Sequence, residues 1–260
     1  MLRPRIIPCL LIQDGGLVKT VKFKDPKYVG DPINAVKIFN EKEADELIVI
    51  DIDATAHGVE PNYTQIAKLA AECRMPLCYG GGIRTAEQAK KIIQLGVEKV
   101  AISSAALDNP GLVTQIAEEI GSQSVVVVLD HKSRLLSKHQ EVWTHNGTRN
   151  TKRNVVEVAQ ELEKLGAGEI VLNSIENDGK MKGYDLELAS KLRAAVHIPI
   201  TILGGGGSLD DMASVVKACG VVGVAAGSFF VFKGPYRAVL ISYPTAQQKD
   251  DIIYSALRAR

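Results

Sequence analysis

Short apolar runs rich in Val and Ile alternate along the chain with longer segments whose apolar residues recur every three or four positions. The runs are Arg5–Leu11, Leu47–Ile52, Pro76–Tyr79, Lys99–Ser103, Ser124–Asp130, Glu169–Asn173, Pro199–Leu203 and Val222–Ala226. They are continuous rather than alternating, as expected of parallel strands covered on both faces. The segments between them predict helices near Ile33–Lys42, Tyr63–Glu72, Ala86–Leu95, Leu112–Ile120, Val155–Leu165, Leu186–Ala195, Leu209–Ala218 and Gln247–Leu257. Asp31-Pro32 reads as an N-cap followed by Pro in the first turn. Gly96, Gly121, Gly166 and Gly220 each follow a helical segment, where a positive-φ residue is wanted. Eight strand-then-helix units in this length is the count of a (β/α)8 TIM barrel. An open doubly wound sheet is the structural alternative, but it seldom repeats eight units so evenly.

The chain also looks internally doubled. Gly80-Gly81-Gly82 recurs as Gly204-Gly205-Gly206, and Lys99–Ser103 finds an echo in Val222–Ala226. Strand one then matches strand five, which makes each half a four-unit half-barrel. No Pro/Ser-rich linker divides the halves, so residues 1–260 read as one domain. Two connections are long, Gln13–Gly30 and His131–Thr151. Both lie at carboxyl ends of strands, where barrels of this kind build their sites. Within the second, Asn146-Gly147 after an alternating stretch suggests a hairpin turn.

Composition narrows the function classes. The charges nearly cancel, 31 Lys+Arg against 30 Asp+Glu, which argues against a nucleic-acid binder. There is no apolar run long enough for a membrane span and no signal-peptide pattern, so a cytoplasmic protein without a membrane partner is expected. The four cysteines and five histidines are scattered. They suggest neither a metal site nor a disulfide framework, and no cofactor is expected.

The strongest local signal is the pair of glycine runs. Glycines let a backbone approach an anion and aim its N–H groups at oxygens. A phosphate site after strands seven and eight recurs in this fold; here it would use Gly205, Gly206, Ala226 and Gly227. Its doubled counterpart would use Gly81, Gly82, Ser103 and Ser104. Two such sites across one mouth imply an elongated small molecule with phosphate at both ends. The plainer reading is that the glycines only make tight strand-to-helix turns.

Asp130 ends the apolar strand Val125–Leu129 and is a general acid/base candidate, since partial burial raises a carboxyl pKa. The position equivalent to it in the first half-barrel is Leu11, so a paired carboxylate is missing, and Asp14 lies further along in the loop. Lys19 is placed to reach a phosphate or oxyanion, or else is a solvated loop lysine. Asp178-Gly179 after strand six resembles a backbone nest beside a carboxylate. At the other end, Arg5, Glu46, Lys99 and Glu169 stand at or next to strand starts, and together suggest a polar gate across the base. Finally, Ala238-Val239-Leu240-Ile241 is an apolar run bounded by Gly234-Pro235 and Pro244. It is either packed under the last helix or a surface element that docks a partner.

With these residues in view, the chain resembles the cyclase subunit of imidazole glycerol phosphate synthase from Met1 to Phe232. The matching stretches include Arg5–Leu10, Asp14-Gly15, Gly30-Asp31-Pro32, Ala44–Leu47, Gly80–Ile83, Gly121-Ser122-Gln123, Gly166–Ile170, Ser174-Ile175 and Asp178-Gly179. The resemblance implies a barrel that receives ammonia from a glutaminase subunit docked at its amino-terminal face, through a gate of Arg5, Glu46, Lys99 and Glu169. The departures are specific. The family's strand-one catalytic aspartate is Leu11 here, its strand-seven serine is Leu203, and its strand-four asparagine is Ser103. Lys233–Pro244 also departs from the family's run into the last helix. In these features the chain is similar to second-copy homologues of surface-polysaccharide (lipopolysaccharide) gene sets. The resemblance implies that those work with a glutaminase-like subunit and an ATP-dependent amidotransferase to build acetamidino groups on sugars. The alternatives are the histidine-pathway cyclase itself and a non-catalytic scaffold that activates a glutaminase.

Overall fold

The computed structural model describes residues 3–133 and 140–258. In chain order its elements are β1 (Arg5–Gln13), β2 (Gly16–Val21), β3 (Lys24–Gly30), α1 (Pro32–Glu41), β4 (Leu47–Asp51), α2 (Tyr63–Glu72), β5 (Leu77–Gly80), α3 (Ala86–Gln94), β6 (Lys99–Ile102), α4 (Ser104–Asp108) and α5 (Gly111–Ile120). The second half adds β7 (Val125–Ser133), β8 (Gln140–Thr144), β9 (Arg149–Asn154), α6 (Val155–Lys164), β10 (Glu169–Ser174), α7 (Leu186–Ala195), β11 (Ile200–Leu203), α8 (Leu209–Cys219) and β12 (Gly223–Ala226). The chain ends with α9 (Ser228–Val231), β13 (Phe232–Lys233), β14 (Ala238–Val239) and α10 (Ala246–Arg258).

Parallel strands β10, β11, β12, β1, β4, β5, β6 and β7 follow one another around a sheet that closes where β7 pairs with β10. This is a (β/α)8 barrel. Its strands are the eight apolar runs, and its main helices are the eight periodic segments, shifted by one or two residues. Helix starts are set by side-chain caps: Asp31 accepts from the Asn34 N–H, and Asn62, Thr85, Asn154, Asp185 and Ser208 do the same for their helices. Each satisfies an orphan N–H of the first turn. Among the described residues, no helix is long and apolar enough to cross a membrane.

The two-residue period of a strand assigns side chains to two cores. On β1, Ile6, Leu10 and Ile12 pack outward against the helices, while Ile7, Cys9 and Leu11 face into the barrel. On β7, Val125, Val127 and Leu129 point out; Val126 and Val128 point in. The barrel interior is therefore a separate plug of Ile7, Cys9, Ile48, Cys78, Ala101, Val126, Val171 and Ala225. Leu11, Ile50, Val128 and Leu203 border this plug and line the mouth cavity above it.

Both long connections are folded rather than open loops. β1 runs past the barrel rim and turns through Asp14-Gly15, both with positive φ, into β2, which pairs with β3. β7 likewise runs on to Ser133 and pairs with β8, and β8 pairs with β9 around the turn His145-Asn146-Gly147. The first hairpin escapes the sequence pattern because β3 is nearly all exposed, so no apolar period marks it. The segment Lys233–Pro244 is not packed under the last helix as a unit. Ala238 and Val239 pair with Phe232 and Lys233 in a small hairpin, Leu240 is 57% exposed, and only Ile241 leans on the outer core.

Candidate active site and the charged base of the barrel

At the carboxyl end the plug stops beneath a cavity of about 160 Å3. Lys19, Gly81, Gly82, Ser103, Ser104, Asp130, Asp178 and Gly227 all line it. Sequence reading and structure thus meet at one mouth. Ligand sites are usually ~300–1,000 Å3, so the cavity is small for an elongated ligand while both hairpins lie over it.

Asp130 is at the centre. Parallel pairing sets it beside Asn173 in register, and the Asn173 amide donates to Asp130 Oδ1 at 2.8 Å. Burial pushes the Asp130 carboxyl up to about 7, opposed by the Asn173 hydrogen bond, reinforced by the nearby Asp178 charge and opposed again by a bond from Ser103. A carboxyl there can exchange a proton near neutrality. Leu11 and Leu203 line the same cavity and offer no proton. Asn173 is the partner that sequence reading missed; its position at the end of strand six, level with Asp130, is the signal that would have found it.

Lys19 is not a solvated loop lysine. It is 5% exposed, and its ammonium donates to the Cys9 carbonyl at 2.6 Å. A side chain on Gly227 would press on Lys19 Nζ, so that glycine keeps the cation open to the mouth. Burial lowers the Lys19 pKa, while the Cys9 and Asp178 charges oppose the shift.

Asp178 clamps the first hairpin. Its Oδ2 accepts from Thr20 Oγ1 at 2.7 Å and from the Phe23 N–H at 3.1 Å, and its carbonyl accepts from the Lys22 N–H at 3.1 Å. Lys22 and Phe23 both have positive φ, at 55° and 62°. That conformation is costly for bulky residues, and the Asp178 contacts hold it. The second hairpin leans over the other side of the mouth: Asn146 Nδ2 donates to the Ile52 carbonyl at 2.8 Å, and the His145 N–H donates to Ser104 Oγ at 2.9 Å.

The glycine runs have a packing reason as well. A side chain on Gly205 would strike the Gly183 carbonyl, and one on Gly206 the Tyr184 hydroxyl. Gly205, Gly206 and Ala226 are buried, and with Gly179 they lie behind the cavity wall rather than on it. The Gly82 N–H donates to Thr55 Oγ1 at 3.2 Å.

At the amino end, Arg5, Glu46, Lys99 and Glu169 form one ring. Arg5 pairs with Glu46 and, at 2.7 Å, with Glu169; Lys99 pairs with Glu46 at 2.9 Å and with Glu169 at 3.0 Å. Thr201 Oγ1 adds a bond to Glu169 Oε1 at 2.6 Å. Both carboxylates are under 9% exposed, and both cations keep raised pKa values because the paired glutamates outweigh burial. Gly223 makes the room: it sits level with Arg5, and a side chain there would strike Thr201 Oγ1. The ring covers one end of the apolar plug, and Asp130 stands at the other.

Residues 5–236 match the model of the family described as "Histidine biosynthesis protein". The chain is 58% identical over 249 residues to a Vibrio vulnificus (strain YJ016) protein named as imidazole glycerol phosphate synthase subunit hisF3, covering 96% of each chain. It is 55% identical over 250 residues to a Pseudomonas aeruginosa protein named as subunit hisF2 of the same synthase, covering 96% of this chain and 99% of the other. To the imidazole glycerol phosphate synthase subunit HisF of Hyphomonas neptunium it is 42% identical over 232 residues, covering 89% and 91%. With a closed eightfold barrel, a carboxylate at its mouth and relatives of this similarity over nearly the whole length, the chain belongs to the HisF-like family of imidazole glycerol phosphate synthase cyclase subunits.

Proposed function

We propose that the chain is the synthase-type subunit of a glutamine amidotransferase. It receives ammonia from a glutaminase docked at the amino-terminal face and delivers it, through the barrel, to amidation of a sugar precursor, forming an acetamidino group in surface-polysaccharide biosynthesis. The observation that carries this reading is Leu11 beside Asp130 in one cavity. Ring closure with lyase cleavage needs two positioned proton carriers, and a leucine is none. Ammonia transfer needs only a polar entry and an apolar path. The ring of Arg5, Glu46, Lys99 and Glu169 supplies the entry, and the plug of small and aliphatic side chains supplies the path. An apolar lumen passes neutral ammonia and disfavours ammonium, because an unpaired charge there is expensive. An ATP-dependent amidotransferase at the carboxyl end would consume what emerges, and a phosphorylated small molecule at Lys19 and Gly227 would signal its readiness.

The histidine-pathway cyclase is the second reading. Asp130, with its carboxyl near neutrality, and Lys19 at the mouth favour it. One experiment separates the two: cyclase turnover with free ammonium and the histidine-pathway bis-phosphate, wild type beside Leu11→Asp. The amidotransferase reading expects wild-type turnover ~10²-fold or more below an ordinary family cyclase, with a gain in Leu11→Asp. Wild-type turnover within about tenfold of such an enzyme would return the chain to the histidine reading.

A further inference from the structure

The charged ring is held from outside the barrel by a part of the chain that lies beyond its last strand. After α9 the backbone reaches the carboxyl end, where the Arg237 guanidinium donates to the Gly179 carbonyl, next to the Asp178 clamp. It then descends along α9. The Leu240 N–H donates to the Val231 carbonyl at 2.8 Å and the Ser242 N–H to the Phe230 carbonyl at 2.9 Å. The descent ends at Tyr243, buried at the amino end, with its ring 5.5 Å from Phe230 and edge-on to Phe39 at 6.4 Å.

The Tyr243 hydroxyl serves two strands at once. It donates to the Ile6 carbonyl at 2.7 Å and accepts from the Asp45 N–H at 3.1 Å. Asp45 closes the loop, for its Oδ2 accepts from the Ile6 N–H at 2.9 Å. Behind it the Lys249 ammonium donates to Asp45 Oδ1 at 2.6 Å and to the Glu43 carbonyl at 3.2 Å. Ile6 and Asp45 are the sequence neighbours of Arg5 and Glu46. The β1–β4 register runs from Cys9↔Ile48 to Ile12↔Asp51, above the level of that ion pair. At the level of the pair itself, a phenol and a carboxylate join the two backbones.

We propose that Tyr243, braced by Asp45 and Lys249, is a positioning residue for the ring: it holds the amino ends of β1 and β4 at the spacing at which Arg5 and Glu46 pair. The physical reason is leverage. An ion pair in a nearly dry site is sensitive to small displacements, and backbone atoms adjoining both partners are pinned to one hydroxyl. The functional consequence rests on the reading of the ring as an ammonia gate. Loosening Tyr243 widens the gate without removing any of its charges.

The test uses the isolated full chain first. Tyr243→Phe keeps the aromatic packing and deletes both hydrogen bonds; Lys249→Met removes the support of Asp45 without touching the aromatic cluster. In each, amide exchange at Ile6 and Asp45 should quicken ~5-fold or more, and the Arg5 Nε–H NMR signal should shift or broaden. Phe230→Leu, which opens a cavity nearby, should lower stability and leave the Arg5 signal in place. An Arg5 signal unchanged in both Tyr243→Phe and Lys249→Met overturns the proposal. The second arm adds a glutaminase and compares ammonia released to bulk solvent. Increased release in Tyr243→Phe supports both the brace and the gate. A shifted Arg5 signal without increased release keeps the brace and rejects the gate.

Discussion

The Asn173 amide and the Asp130 carboxylate, joined at 2.8 Å across β10 and β7, form the polar floor of an otherwise largely aliphatic cavity bottom. Leu11, Ile50, Val128 and Leu203 surround that floor. A carboxylate in such a setting is stabilised by an amide and a hydroxyl, and by no cation in direct contact among its described partners. Its proton affinity is therefore set mainly by burial.

That predicts a pH dependence with a definite sign. The Asp130 carboxyl titrates near 7 in the folded chain and near ~3.9 unfolded. The native state therefore binds the extra proton between those values, and stability falls as pH rises through the window. Above about 7 the full cost of the buried charge is present. Asp130→Asn should gain ~2–4 kcal/mol relative to wild type on going from pH 4.5 to pH 8. Urea unfolding at the two pH values measures it; a difference that does not change with pH would contradict a buried, proton-loving Asp130.

Lys99 answers two glutamates, Glu46 and Glu169, each nearly inaccessible. Lys99→Met should cost ~3 kcal/mol or more, because it leaves buried carboxylates short of a cation. Thr201→Val removes a single bond to Glu169 and should cost only ~1 kcal/mol. Chemical denaturation ranks the two. Inorganic phosphate binding at the opposite end should be unchanged in both.

Lys19 should decide anion binding at the Gly227 side of the mouth. Lys19→Met should weaken inorganic phosphate there ~10-fold, the loss expected of one charge-assisted hydrogen bond. Binding near Gly82 and Ser104 should persist. Phosphorus NMR titration of wild type and variant reads both sites. If wild type binds no phosphate at either place, a ligand with two phosphate ends is excluded.

The apolar run Ala238–Ile241 divides between solvent and core. Leu240→Asp should change stability by no more than ~0.5 kcal/mol, as at other exposed positions, whereas Ile241→Asp should cost ~2 kcal/mol or more. Thermal unfolding compares them. On the amidotransferase reading, Leu240→Asp also loses association with the ammonia-consuming partner while glutaminase activation survives; an undiminished association would place that contact elsewhere.

The barrel was legible in the sequence because parallel strands covered on both faces leave an unbroken apolar signature, and the helices between them repeat every three or four residues. Val125–Leu129 and Glu169–Asn173 need no tertiary information to be read as strands. The charged base was legible for a related reason: Arg5, Glu46, Lys99 and Glu169 each interrupt an apolar run at its start, and strand starts share one end of a barrel. Asp130 and the missing acid at Leu11 followed from the same registration.

Contacts made across the chain were decided only in three dimensions. The Lys19 position carries no burial signal, because β2 and β3 hardly differ from a polar loop in sequence; the cation is buried only because the hairpin folds back over Cys9 and Gly227. Asp178 reads as a ligand for anions but is taken up by the strained Lys22-Phe23 turn 155 residues away in the chain. Tyr243 lies 237 residues from the carbonyl it holds. Periodicity records which face of an element meets the core. A hydrogen bond between distant elements depends on where closure of the barrel brings their ends, and no local pattern of residues encodes that.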